Sequence, residues 1–201
     1  MSPVEQPTSP ELGPLPSEKI IALRDLFETN HVPYAFGGAI ALFYYRDPRS
    51  TIDIDVNVFL PPERQPEVTT LLQSLYDIDV EKVAADVTTT GQARSLWGAT
   101  FIDLFFADTQ FHEAMARRVQ RKPFLETEIN VLSPEDLLVC KMLFDRPKDW
   151  LDVQAVVANA QVKLDERYME SALELFVDRS DARFERWRAA TTPAEEPQSE
   201  R

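Results

Sequence analysis

The sequence predicts an α+β fold: a small mixed β-sheet flanked by helices, followed by a short helical C-terminal part. Three observations lead there. The run Thr51-Ile-Asp-Ile-Asp-Val-Asn-Val-Phe-Leu60 alternates like a half-buried strand, and Phe101-Ile-Asp-Leu-Phe-Phe106 is an apolar run of strand length. From Ser133 onward the apolar residues recur at helical spacing instead.

Taken in order, residues 1–16 are rich in Pro, Ser and Glu and read as a disordered tail, as do residues 190–201. Residues 17–132 form the sheet-containing core and 133–189 the helical part. Ser17 is the expected N-cap of a first helix whose apolar stripe is Ile20, Ile21, Leu23, Leu26 and Phe27. A short strand over Pro33 to Phe36 then meets Gly37-Gly38, and a second apolar helix runs from Ala39 to about Tyr45. The strand over 51–60 follows. Val68, Leu71, Leu72 and Leu75 mark another helix, residues 79–97 read as strands joined near Gly91, and Phe101 to Phe106 reads as a buried strand. Ser133-Pro-Glu-Asp136 is a helix start, with Ser133 as cap and Pro134 at the first helical position, and two or three helices follow from 147 to about 188.

Composition narrows the function. At 201 residues and 44% hydrophobic content the chain suits one soluble domain, and neither a membrane-length apolar run nor a secretory leader is present, so a cytoplasmic protein with no membrane partner is expected. The single cysteine, Cys140, lies in an apolar helical pattern and reads as a core or half-buried residue. A net charge of -13 repels phosphate backbones and attracts cations, which argues against a non-specific nucleic-acid binder. Arg117, Arg118, Arg121 and Lys122 are the one dense basic cluster, read either as a solvated face or helix end or as a substrate groove. His31 and His112 lack metal-ligand spacing and read as surface or helix-end residues.

The 51–60 strand carries the chemistry. Ile52, Ile54, Val56 and Val58 share one face, while Thr51, Asp53, Asp55 and Asn57 share the other. Asp is disfavoured in strands, so two carboxylates with Cα atoms roughly 7 Å apart need a compensating partner, and Mg²⁺ with substrate phosphates is one. Asp103, set among Phe101, Ile102, Leu104, Phe105 and Phe106, is the candidate third carboxylate of a two-metal site; a strand-end residue bonded to backbone amides is the other reading. Gly37-Gly38, between strand and helix, permits close approach of a phosphate to the backbone, or serves as a tight turn. Asp77-Ile-Asp-Val80 repeats the four letters of Asp53 to Val56 without the upstream glycines, so Asp77 and Asp79 read as loop or strand-edge residues. Downstream, Lys141, Arg146, Lys148, Asp149 and Asp152 form a dense charged block in which Lys148 and Asp152 lie one helical turn apart.

In this order, Gly37-Gly38, Asp53-Ile-Asp55, Asp103 and the block from Lys141 to Asp152 resemble the nucleotidyltransferase (DNA polymerase β-like) superfamily. Within it the chain looks most like the AbiEii toxin family of type IV toxin-antitoxin pairs, over roughly residues 20–160. The resemblance implies that Asp53, Asp55 and Asp103 bind Mg²⁺, that Gly37 and Gly38 cradle a triphosphate, and that Lys141, Arg146 and Lys148 help bind nucleotide. Asp152 would orient the acceptor or a lysine. The implied reaction moves an NMP from an NTP to an acceptor hydroxyl, on RNA such as a tRNA 3′ end or on a protein, with a cognate antitoxin as a possible partner. An aminoglycoside-type small-molecule acceptor and an inactive binding module are the alternatives. Thr51 shares the face of Asp53 and Asp55, so it counts among the nucleotide-binding candidates, and a phosphate there would repel the triphosphate.

Overall fold

A computed structural model describes residues 13–47 and 53–192. Thr51, most of both expected tails and the start of the 51–60 run lie outside the described residues. The chain runs α1 (Pro16–Thr29), β1 (Tyr34–Phe36), α2 (Gly38–Leu42), β2 (Ile54–Val58), α3 (Gln65–Leu72), α4 (Val80–Thr90), β3 (Gln92–Trp97) and β4 (Thr100–Phe106). It continues through α5 (Gln110–Arg118), β5 (Gln120–Phe124), β6 (Thr127–Val131), α6 (Pro134–Phe144), α7 (Pro147–Val157), α8 (Glu166–Leu173) and α9 (Ala182–Thr191).

The six strands form one mixed sheet in the order β3-β4-β2-β1-β6-β5. β2 lies centrally, antiparallel to β1 and parallel to β4. Its alternation works as the sequence predicts: Ile54, Val56 and Val58 are buried in the core beside Ile102, Leu104 and Phe106 of β4. Burying each such side chain contributes about 1.5–3 kcal/mol, and this offsets the poor strand propensity of the aspartates between them. The helical part is built round α6, whose Leu137, Leu138, Val139 and Met142 are buried on several sides because α2, α7 and α8 all pack on it. Ser133 caps α6 as expected, its hydroxyl accepting from the Asp136 amide at 3.1 Å, and Pro147 opens α7.

Three expectations are corrected. Residues 80–90 are helix rather than strand: Asp79 is an N-cap that accepts from the Lys82 amide at 2.9 Å, and Val83 and Val87 give a buried stripe one turn apart. The Thr88, Thr89 and Thr90 hydroxyls donate to carbonyls four residues back, and Gly91, at φ 71°, ends the helix in the left-handed region. Asp79 is therefore a helix cap and not a strand-edge residue. The first helix begins at Pro16, preceded by Leu15, whose amide donates to Glu18 Oε2 at 2.7 Å; Ser17 is not its cap. Finally, the basic cluster is split, Arg117 and Arg118 ending α5 and Arg121 and Lys122 lying on β5 of a hairpin whose mixed polar sequence gives little strand signal.

Candidate active site

Register creates the site. Parallel pairing of β2 and β4 sets Asp55 directly opposite Asp103, so the two carboxylates share one face of adjacent strands, with Asp53 at the entry to β2. All three line a cleft of about 630 Å³ together with Gly38, Arg94, Lys141, Arg146 and Lys148. Burial, followed by repulsion from Asp103 and Asp53 and opposed by Lys141 and Arg146, pushes the Asp55 carboxyl up to about 6.

The glycine turn is shaped by that carboxylate. The Gly37 amide donates to the Asp55 carbonyl at 2.9 Å, and Gly38 has φ +48°. A Cβ at Gly38 would stand 1.8 Å from Asp55 Oδ2, and one at Gly37 would stand 2.8 Å from Asn57 Nδ2. Both glycines thus let a strand-to-helix turn lie against the acidic face of β2, a requirement as direct as any phosphate contact.

The charged block divides by burial. Lys141, 5% exposed, donates to Asp152 Oδ2 at 2.7 Å and to Asp149 Oδ1 at 3.4 Å. Asp152, 2% exposed, also accepts from Arg46 at 2.8 Å, and Arg146 holds Asp149 at 2.5 Å. Asp152 therefore pairs with Lys141 in the cleft floor and does not itself line the cleft, whereas Lys148 is exposed on the cleft wall. Lys148 and Asp152 lie one turn apart on α7, as the spacing predicts, but Asp152 is buried where Lys148 is exposed.

The titratable cleft residues Arg94 and His112 fall outside the sequence-derived set. Arg94 grips Asp103 with both arms, Nε to Oδ1 at 2.7 Å and Nη2 to Oδ2 at 2.6 Å, and its Nη2 lies 3.8 Å from Asp53. The signal lay in the hairpin: the turn at Gly98 pairs Trp97 with Thr100, and counting back from it sets Arg94 opposite Asp103. His112 sits in the first turn of α5, the helix-end place the sequence allows, and there lines the cleft, where burial lowers its pKa and Thr109 Oγ1 lies 2.9 Å from its Nδ1. The far wall is apolar, with Phe105 packed edge-on to Phe144 and Phe111 edge-on to Phe176.

Among the described residues, no three acidic, histidine or cysteine side chains converge as a metal cage, and Arg94 engages both oxygens of Asp103. The donor set nevertheless suits a hard divalent cation, since it offers carboxylate oxygens on one sheet face and already draws a guanidinium in among them as counter-charge.

A mixed sheet with paired acidic strands, a glycine turn packed against them and a helix-borne lysine behind defines a nucleotidyltransferase. The chain belongs to the AbiEii family, whose model, described as nucleotidyl transferase AbiEii toxin of a type IV toxin-antitoxin system, matches residues 21–201. No curated protein matches the sequence. Among solved structures, the antibiotic-resistance factor ANT(2'')-Ia matches with a TM-score of 0.51 and 14% identity, over 80% of this chain and 90% of its own. The same protein with adenylyl-2"-tobramycin matches with a TM-score of 0.51 over 80% of this chain and 95% of its own, at 14% identity. The lincosamide antibiotic adenylyltransferase LnuA, lincomycin-bound, matches with a TM-score of 0.49 and 16% identity, over 70% of this chain and 96% of its own. At these identities the ANT(2'')-Ia likeness shows the fold alone.

Proposed function

We propose that the chain transfers an NMP from an NTP to an acceptor hydroxyl on RNA, such as a tRNA 3′ end, or on a protein. It does so with Mg²⁺, in the cytoplasm, as the toxin of a toxin-antitoxin pair. The observation that carries this reading is the register of β2 and β4, which brings Asp55 and Asp103 to one cleft beside Asp53 and Gly38. Family membership supports the NTP and a cognate antitoxin. Asp53, Asp55 and, once Arg94 releases it, Asp103 would hold the metal, which when bound supplies charge neutralisation at the phosphates and acidifies the attacking hydroxyl. Exposed Lys148 and Arg146 at the cleft wall would meet the triphosphate, while Lys141, buried in the cleft floor, fixes Asp149 and Asp152.

The acidic cleft also favours a second acceptor class, a small polycation, which an anionic site attracts where it repels RNA. The aminoglycoside product held by ANT(2'')-Ia belongs to that class. One assay separates these readings: full-length protein, each α-labelled NTP and Mg²⁺ with total tRNA, whole-cell protein or an aminoglycoside panel, beside Asp53→Ala. Aspartate-dependent label on tRNA or protein is the expected result. Label confined to an aminoglycoside would replace the acceptor, and no label on any acceptor would return the chain to a binding module.

A further inference from the structure

Of the cleft's two-armed ion pairs, the one between Arg94 at the rim and the recessed Asp103 engages a candidate metal ligand, and the asymmetry of that pair is informative. The Arg94 side chain is 53% exposed and the Asp103 side chain 14%. Arg94 sits on β3, an edge strand, with its guanidinium 4.8 Å over the Phe101 ring, and it lines both the main cleft and an adjoining hollow shared with Gln92 and Arg146. It therefore has room to leave Asp103 without opening the fold, whereas Asp103, fixed on β4 opposite Asp55, has none.

We propose that Arg94 is an exchangeable counter-cation of the carboxylate cluster, which a divalent metal displaces from Asp103 and which then binds the triphosphate of the incoming nucleotide. This rests on the nucleotidyltransferase reading of the same cleft. Two physical points support it. Two guanidinium N–H groups occupy about half of the carboxylate's lone-pair sites and set a positive charge beside the place of a metal, so the two cations compete by occupancy and by mutual repulsion. A guanidinium released at the rim keeps a planar pair of donors suited to phosphate oxygens, and the stack on Phe101 holds its plane. The exchange links the ligands: metal binding prepares a phosphate contact, and nucleotide holds Arg94 away from the metal site.

The test is binding, not turnover. Mn²⁺ is titrated into nucleotide-free, full-length protein and followed by electron paramagnetic resonance, for the wild type, Arg94→Ala, Arg94→Lys and Lys148→Ala. A non-hydrolysable NTP analogue is then titrated at saturating Mn²⁺. Because a partly exposed ion pair is a modest competitor, Arg94→Ala should bind Mn²⁺ about five- to tenfold more tightly and the analogue about tenfold more weakly, with Arg94→Lys in between. Lys148→Ala removes one positive charge from the same cleft without vacating Asp103 and should change Mn²⁺ affinity by less than about twofold. Equal Mn²⁺ affinity in Arg94→Ala and wild type, or an equal gain in Lys148→Ala, overturns the competition; unchanged analogue affinity overturns the phosphate contact. If the wild type binds neither Mn²⁺ nor analogue, the transferase reading falls with it, whereas normal wild-type binding matched by Arg94→Ala sinks this proposal alone. Arg94→Gln serves in place of Arg94→Ala if the circular dichroism melt of the latter shows a lost fold.

Discussion

Gly38 is the residue whose identity the site constrains most tightly. A methyl group there meets Asp55 Oδ2 at 1.8 Å and also has to adopt φ +48°. Gly38→Ala should cost about 2–4 kcal/mol in urea unfolding and abolish nucleotide transfer, because either the turn or the carboxylate has to move. Gly98, at φ +60° with no neighbour closer than 3.6 Å, isolates the backbone component, and Gly98→Ala should cost about 1–2 kcal/mol with transfer intact. Adding Asp55→Ala to Gly38→Ala should recover part of the stability and none of the activity. If Gly38→Ala and Gly98→Ala cost the same, the close approach to Asp55 is not what selects glycine. Cys140 makes an opposite prediction of low reactivity. The apolar surroundings push its thiol up to about 12 although the residue is half-buried and lines the cleft, so little of the reactive thiolate is present at pH 8. Raising the pH tenfold in hydroxide should raise its reaction with a disulfide reagent about tenfold, and unfolding in urea should raise it more than 100-fold at constant pH. Fast native labelling at pH 8 would contradict the raised thiol pKa.

At the scale of elements, the junction of α6 and α7 separates scaffold charge from ligand charge. Lys141 reaches from α6 to Asp149 and Asp152 on α7, and all three are buried. Removing one partner of a buried ion network leaves a charge poorly compensated, so Lys141→Met should cost about 3–5 kcal/mol. Lys148→Ala, at an exposed position, should leave the unfolding midpoint unchanged and weaken NTP affinity several-fold, as read by calorimetry. A stable Lys141→Met protein with lost NTP affinity would instead give that lysine a direct role at the nucleotide. The same scale explains what the sequence made legible. β2, β4 and α6 were readable because burial of one face or of a whole helix writes a period into the chain. The acidic row followed from pleating alone. α4 was misread because Val87-Thr-Thr-Thr90 has strand-like residue types, while the determinants of the helix are a cap at Asp79, threonine hydroxyls turned back on carbonyls, and contacts to α3 and β3. Arg94 was missed although β3 was read as a strand, since its partner is set by the register of the β3–β4 hairpin and not by residue type. The fate of the downstream block depended on which lysine faces inward, a tertiary choice that spacing does not encode: Lys141 and Lys148 carry the same charge, and only packing of α6 against α2, α7 and α8 buries the first.

For the molecule as a whole, charge and cleft pull in different directions, and this yields a test of the acceptor. The chain carries a net charge of -13, yet the proposed nucleotide and an RNA acceptor are both anions. The basic residues that an RNA groove would draw on are in part already engaged: Arg118 is held by Glu135 at 3.0 Å and stacks 4.0 Å over Tyr168, and Arg121 lies 3.5 Å from Glu128. An acidic body therefore repels RNA at long range and accepts it only at close quarters, with Mg²⁺ screening the approach. Raising monovalent salt to about 0.15 M, above the ionic strength that Mg²⁺ and NTP already set, shortens the Debye length to about 8 Å or less. At fixed saturating Mg²⁺ and NTP, kcat/KM for an RNA acceptor should then stay level or rise, contrary to the steep fall of proteins that bind nucleic acid by releasing counterions. For a polycationic small molecule the same change should lower kcat/KM severalfold, because attraction to the cleft is what salt removes. A steep fall with tRNA would mean that a basic surface outside this reading recruits the acceptor. A fall confined to the polycation, with tRNA left unmodified, would decide for the small-molecule acceptor.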